Sequence, residues 1–532
     1  MYDVLLKNAT VIDGSGSEGY ISDVLIKGDT IEKLEKNSHE TAKTVIDLTG
    51  YYLTPGFVDI HRHGDAYAVT GRLGETELRQ GITTVVNGNC GFSLSPCPKE
   101  QTADYYPYLK SLVGDIPDGM YFPTVAQYIE KVSSIPQCVN VATLVGSGTI
   151  RVAAMGYENR PLTPEDVEKI RALIDEAMKA GACGISLGMI YVPETFYSTQ
   201  EYKQIFRDLS KYNTVITAHL RGEGDLLHRA IDEVVEIAKI ADTHLHISHF
   251  KAAGSNNWGQ GMKSAMGQML AAKAQGQDVT CDVYPYSGAS TTLVSLLPFK
   301  FQSGGINATI ERLKDKDIRR EITAQLSTPV ENSDNILASV GWKAVVIGAC
   351  ASGNKAIIGK SVEEIAAERG IDPYDCAYDL IIEEGGTVTM LYFCMSDEDV
   401  EMALKWDNSA IISDALYAEG ALPHPRMYGT YTRVLQEYVC RKKSLTLPEA
   451  VRKMTAYPCE IMSLAKKGRI KEGFSADLCA FKLEEIRDNS TYYDPRQFGT
   501  GFKFVMVGGK IAIENDEFKN VYNGKFIKAQ RL

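Results

Sequence analysis

Two histidines separated by one residue stand at the end of an apolar, strand-forming run near residue 60. His61 and His63 follow residues 55–60, which read PGFVDI. Alternate side chains of an extended strand point to the same face, so the two imidazoles would project together. Imidazole is the commonest protein ligand of zinc and related metals, and the chain has only nine histidines. The pair predicts part of a metal site, with two merely packed histidines as the alternative for this motif taken alone.

Four later β-prone runs also lead into a side chain that can bind a metal or move a proton. These side chains are Cys90, His219, His249 and Asp414. In a (β/α)8 barrel all strand C-termini converge on one face, and that face holds the active site. The intervals between the four residues are too long for a zinc finger and suit barrel strands separated by helices. The strand ends are therefore predicted to meet at one site.

Cys90 and Asp414 also have purely structural interpretations. A lone cysteine is more often a small buried hydrophobic residue, although Gly88 and Gly91 beside Cys90 would let the backbone approach another group closely. Asp414 could simply cap a helix. Its position at a strand end favours a catalytic role instead.

His249 shares its run with two other histidines. Strict alternation would place His244 and His246 on one face of the strand and His249 on the other. His249 is therefore interpreted as the ligand, and the other two as residues that surround the site or pack against helices.

With these elements in view, the chain resembles the amidohydrolase superfamily and, within it, the N-acyl-D-amino-acid deacylases (D-aminoacylases). The resemblance runs nearly end to end, and the paired histidines alone would indicate only the superfamily. The narrower evidence is the Gly-Asn-Cys-Gly element and the Pro-His-Pro-Arg-x-Tyr-Gly-Thr element, which are residues 88–91 and 423–430.

The resemblance implies a zinc-dependent hydrolase of small N-acyl amino acids. In this family a cysteine takes the place of the bridging carboxylated lysine of many relatives. One tightly held Zn²⁺ would be bound by Cys90, His219 and His249, and a second, weaker site would use His61, His63 and the catalytic aspartate. Asp414 would act first as the base towards water and then as the acid towards the leaving amine. A thiolate with two imidazoles is a strong zinc set that leaves one position open.

Two positions depart from the family pattern. A customary histidine is replaced by Ser147, which puts the fine positioning of substrate in question but not the metal chemistry. The expected Ser-Asp-Gly after the catalytic strand ends in Ala415 instead of glycine, which is a conservative change.

The free carboxylate of an N-acyl amino acid needs a cation and hydroxyl groups to hold it. Lys251 lies two residues beyond His249, and Tyr284 and Tyr191 end two other β-prone runs. These three residues are predicted to bind the substrate. Arg221 is included as a further substrate-binding cation, and Arg426 is another alternative.

The order of segments predicts a (β/α)8 metal-dependent hydrolase barrel with two additions. Residues 1–54 and 466–532 read as short strands that would together build one small β-sandwich. Residues 55–286 and 344–465 alternate strand-like and helix-like segments, as expected of the barrel. Residues 287–343 break this rhythm and are predicted to be an inserted, lid-like segment over the barrel mouth.

Composition excludes several classes of partner. The formal net charge of -12 argues against nucleic acid or an anionic membrane surface. No apolar run reaches the roughly 18 to 20 residues of a membrane span, and the first residues do not look like a secretion signal. Eleven scattered cysteines fit a reducing compartment, so a cytoplasmic location is expected.

Two other functions compete with the deacylase hypothesis. A hydantoinase-like or dihydropyrimidinase-like enzyme would open a cyclic amide on the same fold, but such enzymes more often use a carboxylated lysine where this chain has Cys90. A non-catalytic protein on an inherited barrel would be expected to have lost metal ligands, yet the full set is present. Hydrolysis of linear N-acyl-D-amino acids is therefore the leading prediction.

Overall fold

Strands from the two ends of the chain pair within one nine-stranded sheet. The computed structural model describes residues 1–328, 334–350, 354–417 and 422–530. Leu478–Phe481, near the C-terminus, pairs antiparallel with Tyr52–Pro55, near the N-terminus. The predicted contact between the two ends is therefore present. The other strands of this sheet are Tyr2–Val11, Tyr20–Lys27, Thr30–Glu35, Ala42–Asp47, Phe502–Val507, Lys510–Glu514 and Glu517–Phe518.

A second set of strands, all parallel, carries the residues that could do chemistry. In chain order its members are Phe57–Asp59, Ile82–Asn87, Asn140–Thr143 continued by Val145–Gly146, Gly184–Gly188, Val215–His219, His244–Ile247, Val279–Val283 and Ser409–Ile411. Each pairs in parallel with the next one in this order. An isolated parallel bridge between Arg62 and Ala415 connects the ends of the first and the last. The C-terminal ends of these strands therefore meet at one face.

Helices separate the parallel strands along the chain. The helix Pro164–Ala180 begins at a capping box formed by Thr163 and Asp166, with proline at the first helical position. Of the described helices, none is both long and apolar enough to cross a bilayer. The helices are Asp65–Thr70, Glu75–Leu78, Thr102–Val113, Val125–Ser134, Ser147–Met155, Pro164–Ala180, Thr199–Phe206, Leu227–Ala241, Gln260–Ala274, Asp397–Lys405, Arg426–Arg433, Leu447–Met454 and Ala456–Ile461, with a π-helical turn at Val434–Arg441.

An inserted segment, longer than the predicted 287–343, lies between the parallel strands Val279–Val283 and Ser409–Ile411 and contains its own small antiparallel sheet. Its strands are Gly288–Thr292, Val345–Ala349 and Thr389–Phe393. The sequence predicted that the run at 344–347 returns to the barrel, and this prediction was wrong: the strand forms but pairs with Thr389–Phe393. A short run of β-branched residues is compatible with any buried strand, so its pattern does not reveal its partner. The insertion also contains helices Gly305–Leu313, Lys316–Ser327, Ile336–Val340, Val362–Arg369 and Pro373–Glu383.

Candidate metal centre and active site

The strand ends bring the six predicted metal and catalytic residues into one buried cluster. Their potential ligand atoms form three overlapping groups, and within each group all atoms lie within 4.8 Å of one another. All six side chains are buried. The groups are His61, His63 and Cys90; Cys90, His219 and His249; and His61, His249 and Asp414.

Cys90 lies at the centre of this cluster. Its Sγ is 3.2 Å from Nε2 of His61 and 3.5 Å from Nε2 of His249. The Asp414 carboxylate faces the other side, with Oδ1 3.4 Å from Nε2 of His61 and 3.3 Å from Nε2 of His63. One sulfur, several imidazole nitrogens and one carboxylate therefore converge from five separate parts of the chain.

Three of these residues have left-handed backbone conformations. The φ angles are 53° for Cys90, 34° for His249 and 52° for Asp414. Such conformations cost of order 1–3 kcal/mol for residues other than glycine and concentrate at functional sites. Each of these residues lies two or three positions beyond the end of its strand, so the direction of its side chain is set by the turn and not by alternation along the strand.

The glycines beside Cys90 permit close packing beneath the site. A Cβ atom at Gly88 would lie 2.3 Å from the carbonyl oxygen of Leu144, and one at Gly91 would lie 2.2 Å from Oε2 of Glu194. Both glycines also have positive φ angles. The Cys90 loop is therefore held tightly against neighbouring strand ends, and no larger residue fits at either position.

Two carboxylates orient the imidazoles from behind. Oε1 of Glu223 is 3.0 Å from Nδ1 of His249, and Oδ2 of Asp282 is 3.2 Å from Nδ1 of His61. In both residues Nε2 faces the cluster and the other nitrogen faces a carboxylate, which is the usual arrangement of metal-binding histidines. Sequence reasoning assigned no role to either carboxylate, although Asp282 has the same strand-end position as the ligands.

The other two histidines near this strand are accounted for by the same network. Nε2 of His246 is 3.0 Å from Oδ2 of Asp282, and Nε2 of His244 is 2.7 Å from Oγ1 of Thr280. Both lie outside the ligand cluster. Their predicted place as surrounding residues agrees with these contacts.

The electrostatics of the cluster favour the ligand form of the cysteine. Burial raises the pKa of the Cys90 thiol, but His61 and His249 outweigh this and hold its pKa well below the ordinary value. Burial likewise opposes ionisation of Asp414, while Arg426 and His61 hold its pKa well below the usual range. The cluster therefore offers a thiolate and a carboxylate, both of which are metal ligands.

The donor set fits a zinc ion. Burial lowers the pKa of His219, which favours the neutral imidazole that a metal requires. Nδ1 of His219 is buried and has no hydrogen-bond partner among the described residues. A thiolate beside several imidazoles, one of which has an unsatisfied ring nitrogen, is a donor set typical of a zinc site.

A pocket opens directly above the cluster and contains most of the predicted substrate-binding residues. Lys251, Tyr284 and Tyr191 line it, and so does Arg426. Nζ of Lys251 is 2.6 Å from Oε1 of Glu223 and 2.7 Å from Nδ1 of His249. The metal cluster and the predicted carboxylate-binding group are therefore in direct contact.

Arg426 connects this pocket to the catalytic aspartate. Its Nη1 is 2.9 Å from Oδ2 of Asp414, and its guanidinium carbon lies 4.7 Å from the ring centroid of Tyr284. Its Nε is buried and has no hydrogen-bond partner in the part of the chain that the structure describes. Arg426, which the sequence analysis named only as an alternative cation, thus lies where its guanidinium could bind a substrate anion.

Arg221 lies apart from the other predicted substrate-binding residues. Its guanidinium is bound by Glu233, at 3.0 Å from Nε to Oε2, and by the carbonyl oxygens of Thr195 and Tyr197. It lines a neighbouring cavity but not the pocket above the cluster. These acceptors use the donors of its guanidinium, and its predicted contact with substrate stays a prediction.

Ser147 lies behind the Cys90 loop and not in the pocket. It begins the helix Ser147–Met155 and is 2% exposed. Its hydroxyl interacts with the carboxylate of Glu194, the same group that packs against Gly91. The departure from the family pattern therefore affects the support of the Cys90 loop.

Comparison with known proteins agrees with this geometry. The chain matches the model of an amidohydrolase family over residues 44–513. It is 31% identical over 527 residues to the D-aminoacylase of Alcaligenes xylosoxydans xylosoxydans, covering 99% of this chain and 97% of that protein. It is also 31% identical to the N-acyl-D-glutamate deacylase of the same organism, covering 95% of this chain and 93% of the relative.

A solved structure shows the same likeness in three dimensions. The crystal structure of N-acyl-D-glutamate deacylase from Bordetella bronchiseptica, complexed with zinc and a phosphonate inhibitor, has a TM-score of 0.83 to this chain. The sequence identity is 26%, and the match covers 99% of this chain and 100% of the other. The chain belongs to the amidohydrolase family and, within it, to the N-acyl-D-amino-acid deacylases.

Proposed function

We propose that this protein is a zinc-dependent hydrolase that cleaves the amide bond of N-acyl-D-amino acids to a carboxylate and a free D-amino acid. The observation that carries the proposal is the cluster of Cys90, His219 and His249 beneath a pocket, with Asp414 within reach. The relatives' activities and the zinc found in a homologous crystal structure support it.

The proposed metal residues have distinct parts. Cys90, His219 and His249 would hold one Zn²⁺ tightly, and His61, His63 and Asp414 would form a second, weaker position. Zinc bound there supplies Lewis acidity, which polarises an amide carbonyl and makes water a better nucleophile.

Asp414 is the proposed general base and acid. Its Oδ1 faces the imidazoles of His61 and His63, while its Oδ2 is paired with Arg426. A carboxylate kept ionised by this cation can accept a proton from the attacking water. It can then pass the proton to the amide nitrogen, which is otherwise a poor leaving group.

Lys251, Tyr284 and Arg426 are the proposed binding group for the substrate α-carboxylate. Both cations line the pocket, and Lys251 is paired with Glu223 while Arg426 is paired with Asp414. A carboxylate between them would accept charge-assisted hydrogen bonds from both. Tyr191 lines the same pocket, but its hydroxyl is 3.1 Å from Oγ1 of Thr291 and is proposed to shape the wall.

The rest of the pocket favours substrates with an apolar side chain. Among the described residues lining it, Lys251 and Arg426 are the only lysine or arginine, and both are committed to the α-carboxylate in this proposal. The internal segments outside the described residues contain no lysine or arginine either. Apolar lining residues include Phe92, Leu112, Ile190, Leu296, Ile336 and Met390. A second carboxylate on the substrate would find no further cation here.

The architecture proposed with this function is a (β/α)8 barrel made of the eight parallel strands. Their pairing order and the bridge between Arg62 and Ala415 support a closed barrel. The β-sheet built from both termini and the antiparallel sheet inserted between 288 and 393 would flank it. We also propose a cytoplasmic location, which the cysteine content supports because the structure has free cysteines at all eleven positions.

A substrate panel tests the proposed function. The zinc-loaded protein should hydrolyse N-acetyl-D-methionine and N-acetyl-D-leucine with kcat/KM at least tenfold above the L forms and above N-acetyl-D-aspartate and N-acetyl-D-glutamate. Hydantoin serves as the cyclic-amide control. Turnover of hydantoin without turnover of any N-acetyl-D-amino acid would reject the proposal, and preference for the acidic substrates would reject the apolar pocket.

A further inference from the structure

One carboxylate of the inserted segment reaches back to the strand end that carries His219. Asp334 accepts hydrogen bonds from three backbone N–H groups of the turn that follows this strand. Its Oδ2 is 2.5 Å from the nitrogen of Glu223 and 2.9 Å from that of Gly224, and its Oδ1 is 2.7 Å from that of Leu226. Three donors on one carboxylate make a strong, directional contact between segments about 110 residues apart in sequence.

The sequence of this turn leaves space for the carboxylate. A Cβ atom at Gly222 would lie 2.9 Å from Oδ2 of Asp334, and one at Gly224 would lie 3.4 Å from Oδ1. Neither glycine has a positive φ angle that would by itself require glycine. Gly222 therefore fits the close approach of Asp334, while Gly224 leaves it an ordinary contact.

Glu223 is also held on its other side. Its carbonyl oxygen accepts a hydrogen bond from the nitrogen of Ala253 at 2.7 Å. Its side-chain Oε1 contacts both Nδ1 of His249, at 3.0 Å, and Nζ of Lys251, at 2.6 Å. One oxygen atom of Glu223 therefore touches a proposed metal ligand and the proposed substrate-binding cation.

We infer that Asp334 is a positioning residue that sets both the zinc ligand His249 and the substrate-binding Lys251 through the backbone of Glu223. Asp334 touches neither the metal ligands nor the pocket above them. Its hydrogen bonds hold the backbone of the turn, and the turn sets the position of Glu223. The Glu223 side chain in turn contacts His249 and Lys251. The inserted segment is in this way a structural part of the metal centre.

The position of Glu223 matters energetically because its backbone and its side chain make contacts on different sides. A buried carboxylate paired with a cation must hold good geometry, because misplacing it leaves charge without a partner. Without Asp334, the turn at 222–226 would keep three backbone donors that need other acceptors. A shift of about 1 Å in Glu223 would then release Nδ1 of His249 or Nζ of Lys251.

The substitution Asp334→Asn tests this inference. The amide keeps one acceptor oxygen but turns an NH₂ group towards a backbone N–H, so the turn should move. Zinc affinity, measured by competition with a chelator, should fall about threefold to tenfold, below the roughly 10- to 100-fold loss typical for direct partners of metal ligands. Glu223→Gln should show that larger loss. Asp317→Asn, an exposed aspartate of the same insertion, is the matched control and should change nothing.

A second variant keeps the test decisive if Asp334→Asn folds poorly. In Gly222→Ala the new Cβ would press on Oδ2 of Asp334 and on Leu226, so it should reproduce the loss of zinc affinity with the carboxylate still present. In both variants KM for N-acyl-D-amino acids should rise several-fold more than kcat falls, because Lys251 is displaced.

The metal readout separates this inference from the proposed function, on which its substrate part rests. Zinc affinity is measured without turnover, so a wrong substrate assignment leaves the metal result intact. Unchanged zinc affinity in Asp334→Asn and Gly222→Ala would overturn the inference. A lower melting temperature alone, with zinc affinity and KM as in the parent protein, would also overturn it, since that outcome means a purely structural role.

Discussion

The two halves of the metal centre differ in what surrounds their ligands. In the half made of Cys90, His219 and His249, the sulfur faces imidazole nitrogens and Glu223 supports His249 from behind. In the half made of His61, His63 and Asp414, the carboxylate is already the partner of Arg426 at 2.9 Å. The anionic ligand of the first half, Cys90, therefore contacts only imidazoles among the described residues. The anionic ligand of the second half, Asp414, is paired with the guanidinium of Arg426.

This difference ranks the two proposed metal positions. A ligand engaged by a cation must weaken that contact before it can bind a metal, and this costs part of the binding free energy. The thiolate of Cys90 is contacted instead by imidazoles, that of His249 at 3.5 Å and that of His61 from the other half at 3.2 Å. The first position should thus hold zinc tightly and the second weakly, which substitutions on each side can test.

The largest effect is expected from Cys90→Ala. It removes the soft anionic ligand shared by the cluster, so zinc affinity should fall more than 100-fold and kcat/KM by about 1,000-fold or more. His61→Ala should cost only about tenfold in zinc affinity. Both are measured by chelator competition and by steady-state kinetics. A greater loss of zinc from His61→Ala than from Cys90→Ala would reverse the ranking.

The matched control for Cys90 is another buried cysteine. Cys97 is buried outside the ligand cluster, and burial raises the pKa of its thiol to about 12, so it is an ordinary protonated thiol. Cys97→Ala should leave zinc affinity unchanged even where it lowers stability.

Asp414→Asn should lower kcat by about 100- to 10,000-fold, the usual contribution of a general acid and base. Because Asp414 belongs to the weaker half, zinc affinity of the tight position should change by less than about threefold. Kinetics on zinc-loaded protein and chelator competition give the two values. Near-normal turnover with zinc bound would show that another group moves the proton.

Lys251→Ala should raise KM for N-acyl-D-amino acids about 10- to 100-fold, since a hydrogen bond to a charged group contributes roughly 1.5–3 kcal/mol. KM should change little for the matching N-acyl-D-amino-acid amides, in which a carboxamide replaces the α-carboxylate. Arg221→Gln is the control cation, because Arg221 lies outside the pocket, and its KM should stay near the parent value. An equal rise for acid and amide substrates would reject the clamp.

The comparison also shows what sequence could predict. Each candidate ligand follows a β-prone run, so residue type and local pattern were sufficient to predict that His61, Cys90, His219, His249 and Asp414 would lie together. The residues that orient them were not found. Glu223 and Asp282 act on imidazoles 26 and 221 residues away in the sequence, and contacts at such separations leave no spacing that a single sequence reveals.

The pairing partners of the strands could not be predicted from the sequence either. The run at Val345–Ala349 has the composition of a buried strand, and it is one, but it belongs to the inserted sheet. Arg221 is a related case, because its distance from His219 was clear in the sequence while the acceptors that hold its guanidinium, such as Glu233, were not. Local chemistry was thus predictable, and long-range partners were not.

The smallest effect on activity is expected from Glu194, which lies behind the Cys90 loop and takes no part in the proposed reaction. Glu194 packs against Gly91, and burial raises the pKa of its carboxyl group from 4.5 to about 7. The folded state therefore holds this proton more tightly than the unfolded state between about pH 4.5 and pH 7. Stability from this group is fully present below pH 4.5 and is lost as the pH rises through 7, by about 3 kcal/mol.

Glu194→Gln should remove this dependence. Glutamine can accept from the backbone nitrogen of Gly188 and donate to the hydroxyl of Tyr202, the two groups that Glu194 now contacts at 2.8 Å and 2.9 Å. Urea unfolding should find the variant more stable than the parent at pH 8 and similar to it near pH 4.5, whereas the exposed Glu168→Gln should follow the parent at both. A parent-like pH slope in Glu194→Gln would mean that the carboxyl group behind Cys90 is already ionised at neutral pH, and that the site tolerates this further buried negative charge.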